Sequence, residues 1–180
     1  MSEPASRARI IVAMGVSSSG KTSVGKAIAR RLHAPFLDGD DFHPPANKAK
    51  MAAGTPLVDE DRWPWLASLA LALHEAADGK GVAVGACSAL KRSYRDFLTQ
   101  QAGETILFVY LEGTQELIAQ RIASRHHEYM PASLLASQFA TLEAPTAEEN
   151  AIAVPVTLSV EAIADRVVKA TAHKSFKRKQ

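Results

Sequence analysis

The chain has 180 residues, 47% of them hydrophobic, a formal net charge of +2 and one cysteine. That length suits one domain with a substantial core, and Cys87 alone excludes an intramolecular disulfide. Four positive charges, Lys174, Lys177, Arg178 and Lys179, sit in the terminal "KSFKRKQ"; setting them aside moves the net charge from +2 to −2, so no basic nucleic-acid-binding body and no nucleic-acid partner are expected.

Ile10 to Met14 is the first apolar run and reads as a buried β-strand. Arg7 and Arg9 before it imitate the start of a signal peptide, but cleavage there would destroy the motif that follows, so a cytoplasmic location is expected. No apolar stretch approaches the length of a bilayer span, and no membrane partner is expected. The motif is "GVSSSGKTS", Gly15 to Ser23, which fits G-x-x-x-x-G-K-[ST]. Its glycines let the backbone curl closely around phosphates, Lys21 brings an ammonium to them, and the Thr22 hydroxyl suits Mg²⁺. Lys21 to Leu32, with Val24, Ala27, Ile28 and Leu32 at helical spacing, completes a strand, loop and helix.

Further strands are expected at Pro35 to Leu37, Val82 to Ala86, Ile106 to Leu111 and Val154 to Leu158. Helices are expected at Trp63 to Ala77, Lys91 to Gln101, Thr114 to Ser124 and Val160 to Thr171. Such alternation predicts an α/β fold, a parallel sheet covered on both faces, with ligands at the strand C-terminal ends. Polar residues just past each strand are therefore the site candidates.

"DGDDFH" follows the second strand, and Asp38 and Asp40 supply the two carboxylates that phosphoryl transfer needs: one near Mg²⁺, one to orient or deprotonate a hydroxyl. His43 is either a substrate hydrogen-bonder or a turn residue. The mixed segment "NKAKMAAGTPLVDEDRWPWL" has too many breakers for one continuous element and reads as a cover over the substrate. Within it Arg62 offers a bidentate grip on an anion, the alternative being a surface ion pair with Asp59 or Asp61. Trp63 and Trp65 read as packing anchors. Lys91 and Arg95, four apart, share a helix face that suits an anionic substrate. Arg121 and Arg125 share another, leading into a proline-containing loop that suits a mobile, water-excluding lid. His126, His127 and Glu128 do not match a zinc motif, and no zinc is expected.

The stretches "GVSSSGKTSVG", "DGDDFHPPANKAKMAAGTPLVDEDRWPWL", "ACSALKRSYRDFL" and "PASLLASQFATLEAP", spread over Gly15 to Pro145, resemble the gluconokinases of the small P-loop type, related to shikimate and adenylate kinases. The resemblance implies a three-layer P-loop fold with a five-stranded parallel sheet in order 2-3-1-4-5, helices on both faces and a mobile lid. It implies one kinase domain over residues 1–180, with a substrate-covering segment at about 40–78, a lid at about 121–140 and a basic tail at 173–180. Its expected activity is ATP- and Mg²⁺-dependent phosphorylation of D-gluconate at the 6-hydroxyl, with other hydroxy-acid kinases or a non-catalytic nucleotide-binding regulator as alternatives. By resemblance, Gly15, Ser17, Ser18, Ser19, Gly20, Lys21, Thr22 and Ser23 contact the nucleotide and Arg121 stacks on adenine. Thr22 and Asp38 serve the metal, Asp38 through water. Asp40 contacts the acceptor hydroxyl, and Arg62, Lys91 and Arg95, with His43 and Lys50 as weaker candidates, bind the sugar acid. Arg125 reaches the transferring phosphate, so that Lys21, Asp40 and Arg125 form the catalytic set. A homodimer is implied as well. The chain departs from the family at Ser18, where glycine is usual, and at Glu128, where histidine is common.

Overall fold

The computed structural model describes residues 9–125 and 131–173; the expectations for Arg7, for His126, His127 and Glu128 and for the basic tail from Lys174 lie outside them. Five strands form one parallel sheet: β1 (Ile10–Met14), β2 (Phe36–Asp38), β3 (Ala83–Ala86), β4 (Ile106–Glu112) and β5 (Ala151–Pro155). Their spatial order is β2-β3-β1-β4-β5, as the family resemblance implies. Seven helices are described: α1 (Lys21–Leu32), α2 (Pro45–Ala52), α3 (Asp59–Lys80), α4 (Arg92–Ala102), α5 (Gln115–Ser124), α6 (Ala132–Thr141) and α7 (Val160–His173).

The central strand β1 is buried on both faces, which is why its sequence is an unbroken apolar run. Ile10, Val12 and Met14 face one core with Leu66, Leu69 and Leu73 of α3 and Tyr94 and Leu98 of α4. Ile11 faces the other with Val24 and Ile28 of α1 and Ile163 and Val167 of α7. Each such fully buried Leu or Ile side chain contributes about 1.5–3 kcal/mol. Two layers of helix thus fix the strand ends, where β1, β2 and β3 deliver the phosphate loop, the Asp38 turn and Ser88.

Several boundaries differ from the sequence expectation. α3 starts at Asp59, four residues before the expected Trp63, and continues through Pro64. Its first turn holds Asp59, Glu60 and Asp61, which suit the positive end of a helix, and the Asp61 carboxylate accepts from the Val58 N–H at 3.0 Å. β5 ends at Pro155 instead of Leu158; on this edge strand a missing N–H is tolerated. Among the described residues no helix is long and apolar enough to cross a membrane. Cys87, one residue past β3, is buried, and burial pushes its thiol up to about 12.

Candidate active site

The phosphate loop joins β1 to α1, and its backbone explains its composition. Gly15 has φ 148° and Gly20 φ 97°, values that disfavour any side chain. A Cβ at Gly15 would lie 3.2 Å from the Leu111 carbonyl oxygen. Ser18 has φ 62°, so this serine occupies the strained left-handed region. The first amides of α1 have no intrahelical acceptor, which makes its N-terminus an anion cradle. Lys21 lies across this cradle, its Nζ donating to the Val16 carbonyl at 2.9 Å. Burial lowers the Lys21 pKa, against the opposing pull of Asp40, Cys87 and Asp38.

Beside the loop, β2 ends in Asp38 and runs into a 3-10 turn over Gly39–Phe42. The Thr22 hydroxyl donates to Asp38 Oδ2 at 2.9 Å, and the Asp40 N–H donates to Asp38 Oδ1 at 3.0 Å. Gly39 is required between the two acids, because a Cβ there would stand 2.5 Å from the Ala86 carbonyl oxygen. Trp65 holds the turn from α3, donating from Nε1 to the Gly39 carbonyl at 2.7 Å. It is a packing anchor, as expected, and a hydrogen-bonding one. Burial first, then repulsion from Asp38, raises the Asp40 pKa, with Lys21 opposing. The adjoining hydroxyl and carboxylate of Thr22 and Asp38 are hard oxygens that fit Mg²⁺ retaining some of its water.

Two cavities meet here. A cleft of about 890 Å³ is lined by the loop, Asp38, Asp40 and Arg125. A second cavity of about 410 Å³ is lined by His43, Lys48, Arg62, Trp65, Ser88 and Gln138 among others. Ser17, Lys21 and Asp40 line both. His43 stacks on Trp65 with ring centroids 3.9 Å apart. Asn47 Nδ2 donates to the Asp61 carbonyl and faces His43 Nδ1, so Nδ1 accepts and the ring proton is on Nε2. Burial, Arg62 and Lys48 lower the His43 pKa to about 4. Arg62 escapes the surface ion pair considered from sequence, because Asp61 pairs with Lys50 at 2.8 Å and Asp59 with Lys91 at 3.3 Å. Its Nη2 donates to the Leu57 carbonyl, while its buried Nε has no partner among the described residues.

Three expected substrate contacts are not brought to either cavity. Lys50 is held by Asp61, and Lys91 by Asp59 against the Tyr94 ring. Arg95, 1% exposed, makes a two-pronged pair with Glu149 at 2.6 and 3.0 Å and donates to the carbonyls of Ala89, Leu90 and Glu143. These bonds use its donors to join the β3–α4 turn to the segment after α6. Arg121 donates to the Val156 carbonyl and does not line the cleft, whereas Arg125 does. Lys48, Ser88 and Gln138 were not singled out as substrate contacts from sequence; recognition of α2 as a helix would have separated Lys48 from Lys50 by their faces.

A strand–loop–helix cradle beside paired carboxylates and a second polar cavity defines a small P-loop kinase, and the shikimate kinase family model matches residues 17–174. The relatives narrow the class. A gluconokinase of Gluconobacter oxydans is 47% identical over 148 residues, covering 81% of this chain and 82% of its own. The thermoresistant gluconokinase of Escherichia coli is 43% identical over 145 residues, again covering 81% and 82%. The crystal structure of a gluconokinase from Sinorhizobium meliloti superimposes with a TM-score of 0.82 at 44% identity, over 92% of this chain and 93% of that one. The chain belongs to the gluconokinase family, and it is a phosphotransferase.

Proposed function

We propose that this enzyme transfers the γ-phosphoryl group of ATP to the 6-hydroxyl of D-gluconate, giving 6-phospho-D-gluconate and ADP. The observation that carries the reading is the shared wall of the two cavities, where Lys21 and Asp40 face both a phosphate cradle and a cation-lined acceptor pocket. Bound ATP with Mg²⁺ supplies the transferable group and neutralises part of its charge. Loop amides and Lys21 hold the phosphates, Thr22 and Asp38 hold the metal, and Arg125 approaches from the cleft wall. Arg62 and Lys48 attract the sugar-acid carboxylate, and neutral His43 offers its Nε2–H to a hydroxyl. Asp40 aligns the 6-hydroxyl and takes its proton late, as the oxygen–phosphorus bond forms and the bond to the departing ADP oxygen breaks.

The direct test pairs Lys21→Ala and Asp40→Asn with wild-type protein. ADP formation is expected to depend on gluconate and to fall at least about a hundredfold in each variant. For Asp40→Asn, ATP binding should persist. Near-normal turnover in Asp40→Asn would remove the proton-accepting role.

A further inference from the structure

The phosphate loop is gripped from outside by a residue that the scheme above leaves without a role. The Ser17 N–H donates to Gln138 Oε1 at 2.7 Å, and Gln138 Nε2 donates to Ser17 Oγ at 3.0 Å. One planar amide therefore binds both the backbone N–H and the hydroxyl oxygen of a single loop residue, 121 positions away in sequence. A primary amide is suited to this because it carries an acceptor and a donor side by side.

The position of Gln138 gives the contact its consequence. Ser17 lines both cavities, and Gln138 lines the acceptor cavity with Ser137 and Thr141 of the same helix. The far end of α6 is fixed independently: Glu143 N–H donates to the Leu90 carbonyl at 2.8 Å, and Arg95 donates to the Glu143 carbonyl at 3.0 Å. α6 thus forms a wall of the acceptor cavity, tied at one end to the turn after β3 and in its middle to the phosphate loop.

We propose that Gln138 is a positioning residue for phosphoryl transfer: it holds the α6 wall and the phosphate loop in register, so that an acceptor in the small cavity meets the end of the nucleotide's phosphate chain. It acts through Ser17, by setting a distance. Transfer is sensitive to such distances, and a displacement of about 1 Å costs about a hundredfold in rate. The inference rests on the kinase reading and adds to it a determinant of productive alignment.

The experiment compares wild type, Gln138→Met, Gln138→Glu, Ser17→Ala and the double variant Ser17→Ala/Gln138→Met, measuring kcat, ATP affinity by titration calorimetry and the thermal midpoint. Gln138→Met removes both hydrogen bonds at similar volume, and kcat should fall at least about tenfold while the ATP Kd stays within about threefold. Gln138→Glu keeps the acceptor for the Ser17 N–H and loses the donor to Ser17 Oγ, so its kcat should fall below wild type but less than that of Gln138→Met. This near-isosteric variant carries the test if Gln138→Met fails to fold. The double variant should be no slower than Gln138→Met alone, because both changes break one contact. Wild-type kcat in Gln138→Met or in Gln138→Glu, a fall in kcat of Gln138→Met matched by a fall in its ATP affinity, or additive losses in the double variant would each overturn the proposal. A wild-type protein that transfers phosphate only to another acceptor would refute the gluconate assignment instead, and the same series read with that acceptor still decides the role of Gln138.

Discussion

At the scale of single residues, Asp40 has the sharpest pH signature. Burial and Asp38 hold its carboxyl above the usual value, and the proton-accepting form is the ionised one. Activity should therefore fall as pH drops through that raised pKa, giving kcat/KM an acid limb above the ordinary aspartate value of 3.8. Asp38→Asn removes the neighbouring negative charge and should move the limb to lower pH even as it lowers the rate; an unmoved limb would assign it to another group. His43, with a pKa lowered to about 4, stays neutral across the physiological range and adds no limb there. Ser18 makes a different prediction. Its φ of 62° carries left-handed strain, so Ser18→Gly should stabilise the protein by about 1 kcal/mol, read as a higher urea midpoint. Lost stability would show that the serine side chain offsets the strain. A glycine-rich loop shows in the sequence that special backbone angles are needed; that position 18 is one of them follows only from the folded loop.

At the scale of elements, two arginines that look alike in sequence separate cleanly. Arg62 lines the acceptor cavity, its Nε without a partner among the described residues, whereas Arg95 is buried in its pair with Glu149. Arg62→Lys should raise the apparent KM for gluconate with little loss of stability, since lysine lacks the planar fork. Arg95→Ala should cost about 3–5 kcal/mol by stranding a buried carboxylate, read from urea unfolding. If Arg95→Ala instead weakened gluconate binding at unchanged stability, its assignment as a structural tie would fail. The first turn of α3 adds a pH effect. A Tyr94 hydrogen bond, more than its partial burial opposes, lowers the Asp59 pKa, and the Lys50 contact lowers that of Asp61. Their stabilisation is present above the unfolded-state pKa and lost as pH falls through the lowered folded values, so acid should loosen this helix start; Lys50→Ala should shift that acid transition to higher pH. Helix α1 was legible from its apolar spacing between the loop and His33. The short helices α2 and α6 were not, because α2 carries mostly exposed small and charged residues and α6 follows a proline with few buried positions. Lys50 entered the expected site by family resemblance alone, and Lys48, on another face of α2, was left unassigned.

For the whole molecule, strand order was legible from the family resemblance, and the place of the candidate site from the alternation of strands with helices, since ligands of such sheets gather at the strand C-terminal ends. What stayed hidden was the pairing of charges across elements. The Arg95 pair spans 54 positions and the Gln138 contact 121, and no spacing rule connects residues so far apart. The proposed activity is one transfer, from a nucleotide in the loop cleft to a sugar acid in the adjoining cavity. The most direct measurement is ADP release with ATP and Mg²⁺ in the presence of D-gluconate, its epimers, shikimate or a nucleoside monophosphate. Strong turnover is expected with D-gluconate and little with the others. Turnover with a different acceptor alone would leave the kinase fold standing and contradict the substrate.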